Sequence, residues 1–459
     1  MDSEDRKQVG SDLTTGRVLS LLLRFVVPLL LANLIQQLYN SVDTMVIGLV
    51  EGSAGTAGVS NGGEVITMLT FTATSFGSAA QIYVSQLAGA GNRKAVSETI
   101  GTMLTLMFLM SVVFTVLSIC LSSPVLIWLN CPPEAFSEAL SYMRIASFGL
   151  PFIFGYNALA GIMRGMGESK RPLIFIAVAA TANVFLDLLL VVVFPLASAG
   201  TAIATACSEA AAFLAAAIFL CKRRKQFSFE ISLDNFRMRK EHLSVILRLG
   251  IPLSTQSAFI HLTQIICTAQ INTFGLVASA TNSIGNKIQR LITVFITSTS
   301  SGAGAMVGQN VGAGKLERVR TIVYTTLCCT AIPGAIGAFI CLFLPRQAFR
   351  LFTADQAVIE LGVAYLRVTI ALMVLSPVQS SYMSVLTGTG NAKLSFLAGT
   401  LDGVVLRLGF SFILAYSCGM GVLGFFMGNV LARLGPVAVS MIYYYSGKWK
   451  AFRLLPGSS

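Results

Sequence analysis

Val84-Ser-Gln-Leu-Ala-Gly-Ala-Gly91 returns later in the chain as Val307-Gly-Gln-Asn-Val-Gly-Ala-Gly314. The offset of about 223 residues persists elsewhere: Tyr142-Met-Arg144 falls on Tyr365-Leu-Arg367, Gly165-Met-Gly167 on Gly388-Thr-Gly390, and Lys170 on Lys393. Pro28 falls on Pro252 at nearly the same spacing. Chance supplies one such match easily, but not a series in register, so the chain is an internal duplication.

Composition states where each copy lives. Of 459 residues, 54% are hydrophobic and 11% charged, with a mean hydropathy of +0.76. That is too apolar for a soluble protein with a polar surface, and it defines an all-α polytopic membrane protein. Apolar runs long enough to cross a bilayer fall near 18–46, 56–82, 96–120, 137–163, 171–194, 199–221, 245–271, 277–300, 318–343, 356–384, 393–416 and 420–445. Each copy thus has six spans. Because six is even, both copies start from the same side, as a parallel repeat about an axis along the membrane normal. The expected organisation is an N-terminal tail (1–17), a six-helix bundle (18–221), a basic linker (222–244), a second six-helix bundle (245–445) and a C-terminal tail (446–459).

The net charge of +12 does not point to nucleic acid, because the basic residues collect on alternate connections. Arg93, Lys94, Lys170, Arg171, Lys222 to Lys225, Arg237, Arg239, Lys240, Lys315, Arg318, Arg320, Lys393, Lys448 and Lys450 lie there, with Arg346 and Arg350 as exceptions. The positive-inside rule places those connections and both termini in the cytoplasm, in a plasma (inner) membrane. The acidic start Met1-Asp-Ser-Glu-Asp5 and the long first span predict that no signal peptide is cleaved. The nine cysteines show no CxxC spacing, so neither a zinc site nor a disulfide framework is expected.

Charge inside the spans carries the functional information. Asn33, Gln36 or Gln37, Asn40 and Asp43 recur every three or four residues along the first span and share one helix face. Asp43 falls in the outer half of the bilayer. In the fifth span Asn183 and Asp187 stand one turn apart at a similar depth, and in the sixth Thr205 reaches the same layer. Two carboxylates brought together where water is scarce cannot both ionise easily, so the pair accepts a proton. The same oxygen set also suits Na⁺, and the residues alone leave the choice open. The plainer reading is that each Asp locks neighbouring helices by hydrogen bonding. Against it, the second copy keeps the scaffold with Cys267 and Phe410 at the corresponding places. For Asp402 and Arg433, at matching depths in the last two spans, a structural ion pair is the expected role. Glu64, Glu209, Lys287 and Arg407 have no evident partner in the sequence. His261, with Gln256 and Gln264, faces either a cavity or a packed neighbour.

Pro28, Gln36-Gln-Leu-Tyr-Asn40, Asp43, Gly48, the loop Gln86-Leu-Ala-Gly-Ala-Gly-Asn92, Asn157, Gly161-Ile-Met-Arg-Gly-Met-Gly167, and Asn183 with Asp187 together resemble the multidrug and toxic compound extrusion (MATE) transporters, in order and spacing, over essentially the whole chain. Similarity to the DinF-like branch implies a proton- or sodium-driven antiporter that exports amphipathic, often cationic organic compounds. It also implies a cation site at Asp43, Asn183, Asp187 and Thr205. The NorM-like branch carries acidic residues in helices 7 and 10. Here those regions offer Gln256 and Ser376 to Gln379, which argues against a cation site in the second copy. Gln36, Tyr39, Asn40, Asn157, Gln256 and His261 are the expected substrate-cavity residues. The expected partners are small organic substrates and the bilayer, with no nucleic acid, no cofactor beyond the coupling ion, no metal beyond Na⁺ and no obligate protein partner for a monomer.

Two other functions compete at this stage. A flippase for lipid-linked oligosaccharide, or a metabolite exporter of the same superfamily, calls for a more basic central cavity. A channel would not require a titratable pair confined to one repeat. The chain has no HExxH, no GxSxG and no phosphate-binding Gly-rich loop, which removes the common enzyme signatures.

Overall fold

The computed structural model describes residues 11–129, 131–224, 236–451 and 454, with the backbone alone for 40, 41, 43–45, 48, 49 and 51–57. All regular structure among them is helical. The elements are α1 (Val18–Gly89), α2 (Arg93–Cys120), α3 (Ser122–Trp128), α4 (Pro133–Ser147), α5 (Leu150–Gly165), α6 (Lys170–Asp187), α7 (Ala197–Lys222), α8 (Lys240–Asn272), α9 (Leu276–Gly312), α10 (Leu316–Phe343), α11 (Pro345–Arg350), α12 (Gln356–Thr389), α13 (Ala392–Thr400), α14 (Arg407–Phe412), α15 (Val422–Leu431) and α16 (Leu434–Tyr445). Eleven helical segments are long and apolar enough to cross a bilayer, and twelve if α4 and α5 form one span bent by 50°. The break in that fourth span falls at Phe148 and Gly149, just before Pro151, where proline and the crowded Gly149 end the straight run.

α1 holds two spans, Val18–Tyr39 and Gly58–Gly89. Val46, Ile47 and Val59 pack on one cluster with Val191. A straight helix would hold positions 46 and 59 about 20 Å apart, so the chain bends back between them. The first copy therefore reverses between its first two spans.

The duplication seen in sequence is present in the packing. A Cβ at Gly165 would lie 2.8 Å from the Gln81 carbonyl oxygen and 3.0 Å from Val84 Cβ. One at Gly388 would lie 2.7 Å from both the Gly304 oxygen and Val307 Cβ. Each partner is shifted by the same offset, and small residues let backbones touch where lipid offers no hydrophobic drive. Gly91 and Gly314 turn with φ of 70° and 72°, and Gly167 and Gly390 with 83° and 76°. These left-handed turns strain any residue with a Cβ, which is why the Gly-rich motif repeats. Apolar stripes such as Phe108, Val112 and Val116, or Ile332, Ile336, Phe339 and Phe343, stay exposed at helical spacing, as lipid-facing surfaces do.

The chain forms two compact units. One comprises Met1–Asp12 and Val27–Gly250, the other Leu13–Val26 and Ile251–Ser459. The changes of unit fall immediately before Pro28 and Pro252, each inside a long helix where the proline removes one backbone hydrogen bond. The first turns of α1 accordingly pack in the second unit, where Leu13, Val18, Leu22 and Val26 join Met306, Val307, Ile322 and Leu386. The segment before α1 is tied there too: Gln309 Oε1 accepts from the Leu13 N–H at 3.0 Å, and Lys315 Nζ donates to the Thr14 carbonyl and Oγ1 at 3.0 and 2.9 Å. Conversely, the segment before α8 is tied into the first unit. His242 bridges the Tyr83 hydroxyl (2.9 Å) and Glu98 (3.0 Å), and Thr105 donates to the Phe236 carbonyl. Residues 225–235 of the expected linker lie outside the described residues.

Lys315→Met removes two charge-assisted hydrogen bonds, each worth roughly 1.5–3 kcal/mol when buried and less at this half-buried edge. Faster cleavage of the segment Ser11–Gly16 in limited proteolysis of the detergent-solubilised protein, with the rest of the digest unchanged, is the expected result.

Candidate cation site

α6 and α7 are consecutive antiparallel helices of the first unit, and Gly200 of α7 packs against the turn that follows α6. A Cβ there would sit 3.1 Å from the Leu190 carbonyl and 3.2 Å from Val191 Cγ2. From that point Asp187 lies three or four residues back along the chain and Thr205 five residues on. At about 1.5 Å per residue, both reach nearly the same depth. Asn183, one turn before Asp187, points along the same face. Leu188–Val193 is wound as a π-helix starting directly after Asp187. Such turns loosen the helical hydrogen-bond ladder and are frequent at functional sites.

The layer is closed to solvent. Asp187 is 0% and Asn183 1% exposed. Both polar atoms of the Asn183 amide and the hydroxyls of Thr201 and Thr205 are shut from solvent with no hydrogen-bond partner among the described residues. Buried polar groups are paired in the great majority of cases, so a group of orphans around a carboxylate needs an explanation. A hard cation or a proton supplies one. A carboxylate, an amide oxygen and two hydroxyls are the donors Na⁺ accepts, and a proton on the carboxylate would turn an acceptor into a donor. Thr201, one turn before Thr205 on α7, was not among the sequence candidates, although helical periodicity alone would have found it.

The side chains of Asp43 and Asn40 lie outside the described residues. Tyr39, one turn before Asp43 in the chain, is buried at 9% exposure and hydrogen-bonds Glu209, one turn after Thr205 on α7. Glu209 therefore has a partner that its own sequence neighbourhood does not reveal. Gln36 is half-buried in the same unit. Asn157 is engaged within that unit, its Nδ2 donating to the Ile153 carbonyl at 2.8 Å and its Oδ1 accepting from Thr74 at 3.2 Å.

Gln256 and His261 belong to the second unit, both half-buried on α8. Gln256 lies against Gly399, where any Cβ would overlap its side chain, and His261 feels the charge of Arg290. Arg407, whose partner the sequence does not identify, is paired. Its Nη2 donates to Asp402 at 3.0 Å, and Arg433 joins the same carboxylate at 3.3 Å. At the second-copy positions matching Asp187 and Thr205 stand Phe410 and Gly428, and the latter packs on Ser411. The oxygen layer thus belongs to one repeat.

A duplicated bundle of membrane-crossing helices, with a buried polar layer in one copy only, fits a transport protein rather than a soluble binding module. The MatE family profile matches residues 28–189 and 252–413, once in each repeat, and the chain belongs to that family of membrane transporters. The probable multidrug resistance protein YpnP of Bacillus subtilis strain 168 is 29% identical over 447 residues, covering 96% of this chain and 98% of the relative. The probable multidrug resistance protein YoeA of the same strain is 27% identical over 436 residues, 93% of each. A solved structure described as the outward-facing conformation of a multidrug resistance MATE family transporter of the MOP superfamily superposes with a TM-score of 0.89. It is 22% identical and covers 97% of this chain and 99% of that one.

Proposed function

We propose that the protein is a secondary antiporter that exports amphipathic, often cationic organic compounds in exchange for H⁺ or Na⁺ by alternating access. The single observation that carries this reading is the buried layer of Asp187, Asn183, Thr201 and Thr205, present in one repeat and replaced in the other. The multidrug-resistance names of the relatives support the substrate class.

Asp43, Asn183, Asp187 and Thr205 form the coupling site in this reading. Cation arrival cancels the charge on the carboxylates and gives the orphaned hydroxyls and amide a partner. The neutral layer then packs in a way that the charged layer does not. Coupling follows only if cation and substrate favour different arrangements, because a ligand with equal affinity for both shifts nothing. Pro28 and Pro252, where α1 and α8 change unit, are the places at which such repacking is transmitted most cheaply. The energy comes from the ion gradient without a cofactor. The protein acts in the plasma membrane with both termini in the cytoplasm.

Proteoliposomes with opposed gradients test this directly. Ethidium accumulation driven by an imposed H⁺ gradient alone, or a Na⁺ gradient alone, names the coupling ion. Absence of accumulation under both, in protein shown to be folded, rejects antiport of such cations. Thr205→Ala removes one oxygen from the layer and is expected to raise the concentration of coupling ion needed for half-maximal transport by about tenfold, equivalent to about 1.4 kcal/mol. A change in maximal rate with no change in ion dependence would place Thr205 outside the site.

A further inference from the structure

The second unit contains its own buried polar centre, of the opposite sign. Asp402, within the π-helical turn Leu401–Leu406, accepts from Arg407 Nη2 at 3.0 Å and Arg433 Nη1 at 3.3 Å. Arg407 Nη1 also donates to Asn429 Oδ1 at 2.6 Å. Asp402 and Arg407 are each 3% exposed, while the Arg433 side chain keeps 28% of its surface open. Two guanidinium groups share one carboxylate, which leaves one positive charge uncompensated within the spans.

The rest of the second unit offers no spare carboxylate. Between residues 251 and 459 the acidic residues are Glu317, Asp355, Glu360 and Asp402. Glu317 starts α10, Asp355 caps α12 through the Ala357 N–H, and Glu360 pairs with Arg346. Arginine does not shed its proton in proteins, so the excess charge persists. The Nε atoms of Arg407 and Arg433 and the Thr400 hydroxyl are shut from solvent without a hydrogen-bond partner among the described residues, and the Ser411 hydroxyl, also shut from solvent, has the Cys267 thiol beside it. All four groups can donate.

The scaffold does not require this cluster. The repeat offset places Ala179, Val184, Ala206 and Ala210 of the first copy at the positions of Asp402, Arg407, Asn429 and Arg433. An ionic centre added to one repeat, with surplus charge and spare donors, has the features of a binding site rather than a helix clamp, because a clamp is cheapest when neutral.

We propose that Arg407 and Arg433, with Asn429 and Ser411, bind one small monovalent anion: chloride, or the carboxylate of an amphiphilic substrate. Guanidinium groups are weakly hydrated and suited to either, and a single charge neutralises the centre where a dianion would overshoot it. Arg433, the more open of the two, is the way in. The site rests on the second unit alone and does not depend on which cation drives transport.

Thermal unfolding of the purified full-length protein in detergent tests it. Chloride or acetate is titrated against a bulky sulfonate at constant ionic strength and constant Na⁺. Wild type is expected to gain a saturable stabilisation from chloride, acetate or both. Chloride alone identifies an inorganic ion, and an equal response to acetate identifies carboxylate chemistry. Asp402→Asn raises the charge of the centre and is expected to saturate at about tenfold lower anion concentration. Arg433→Gln keeps the Asp402–Arg407 pair, cancels the surplus charge and is expected to abolish the response. If Asp402→Asn does not fold, Arg433→Gln carries the comparison alone. A wild type without saturable stabilisation, or an Arg433→Gln variant that responds as wild type does, overturns the proposal.

Discussion

Asp187→Asn is expected to abolish gradient-driven efflux while leaving a folded protein in the membrane. The substitution keeps the shape of the side chain and fills the same 0% exposed position. It removes one of the two carboxylate charges on which coupling depends, the one inside the closed layer. A neutral amide has no cation-dependent change of state, so cation and substrate no longer compete for different arrangements of the layer. A fall of about a hundredfold in ethidium transport, equivalent to about 2.7 kcal/mol of barrier, is the scale expected when a group acts in the coupled step. The measurement pairs transport with size-exclusion profiles at matched membrane abundance. Loss of transport without loss of folded protein assigns Asp187 to coupling. Transport retained near the wild-type level makes the residue a helix lock.

The second large effect is structural. A Cβ at Gly161 on α5 would overlap the carbonyl oxygen of Gly77 on α1, with the Gly77 carbonyl carbon 2.8 Å away and its Cα 3.0 Å away. The obstacle is backbone, which cannot rotate aside as a side chain can. Gly161→Leu should therefore separate the two helices and cost roughly 3 kcal/mol or more, as overpacking in a filled interior does. In a membrane, where close packing is itself the attraction between helices, that separation is expected to remove most monodisperse protein from detergent extracts. Gly409→Ala is the control, because an added methyl there meets nothing within 4 Å. Equal yields of the two variants would show that the α1–α5 contact does not hold the first unit together.

Much of this arrangement was written in the chain. The apolar runs announced a membrane fold. The repeated Gly-Ala-Gly motif announced two copies, because a left-handed turn at Gly91 and Gly314 leaves a mark that composition does not blur. Asn183 and Asp187 were legible because an i, i+4 polar pair on an apolar helix has few other uses. What stayed hidden depends on departures from regular geometry or on distant partners. Asp402 and Arg407 are five residues apart, on different faces of a regular α-helix. The π-helical turn Leu401–Leu406 brings them together, and no periodicity analysis anticipates it. Glu209 finds Tyr39 on another helix, far away in sequence. The kinship of Leu13–Val26 with the second unit likewise rests on contacts with residues such as Met306 and Leu386, which helical periodicity does not encode.

The most direct test of coupling at Asp187 needs no transport. Linkage requires that a cation which drives substrate off must itself be driven off by substrate, to the same factor. Ethidium binding to the purified protein is measured by fluorescence anisotropy, first as pH falls at fixed Na⁺ and then as Na⁺ rises at fixed alkaline pH. Antiport through the buried layer predicts that wild-type affinity drops at least tenfold in one of the two series. The same series should be flat in Asp187→Asn. Affinity in the wild type that ignores both cations, or a dependence that survives the substitution unchanged, would contradict it.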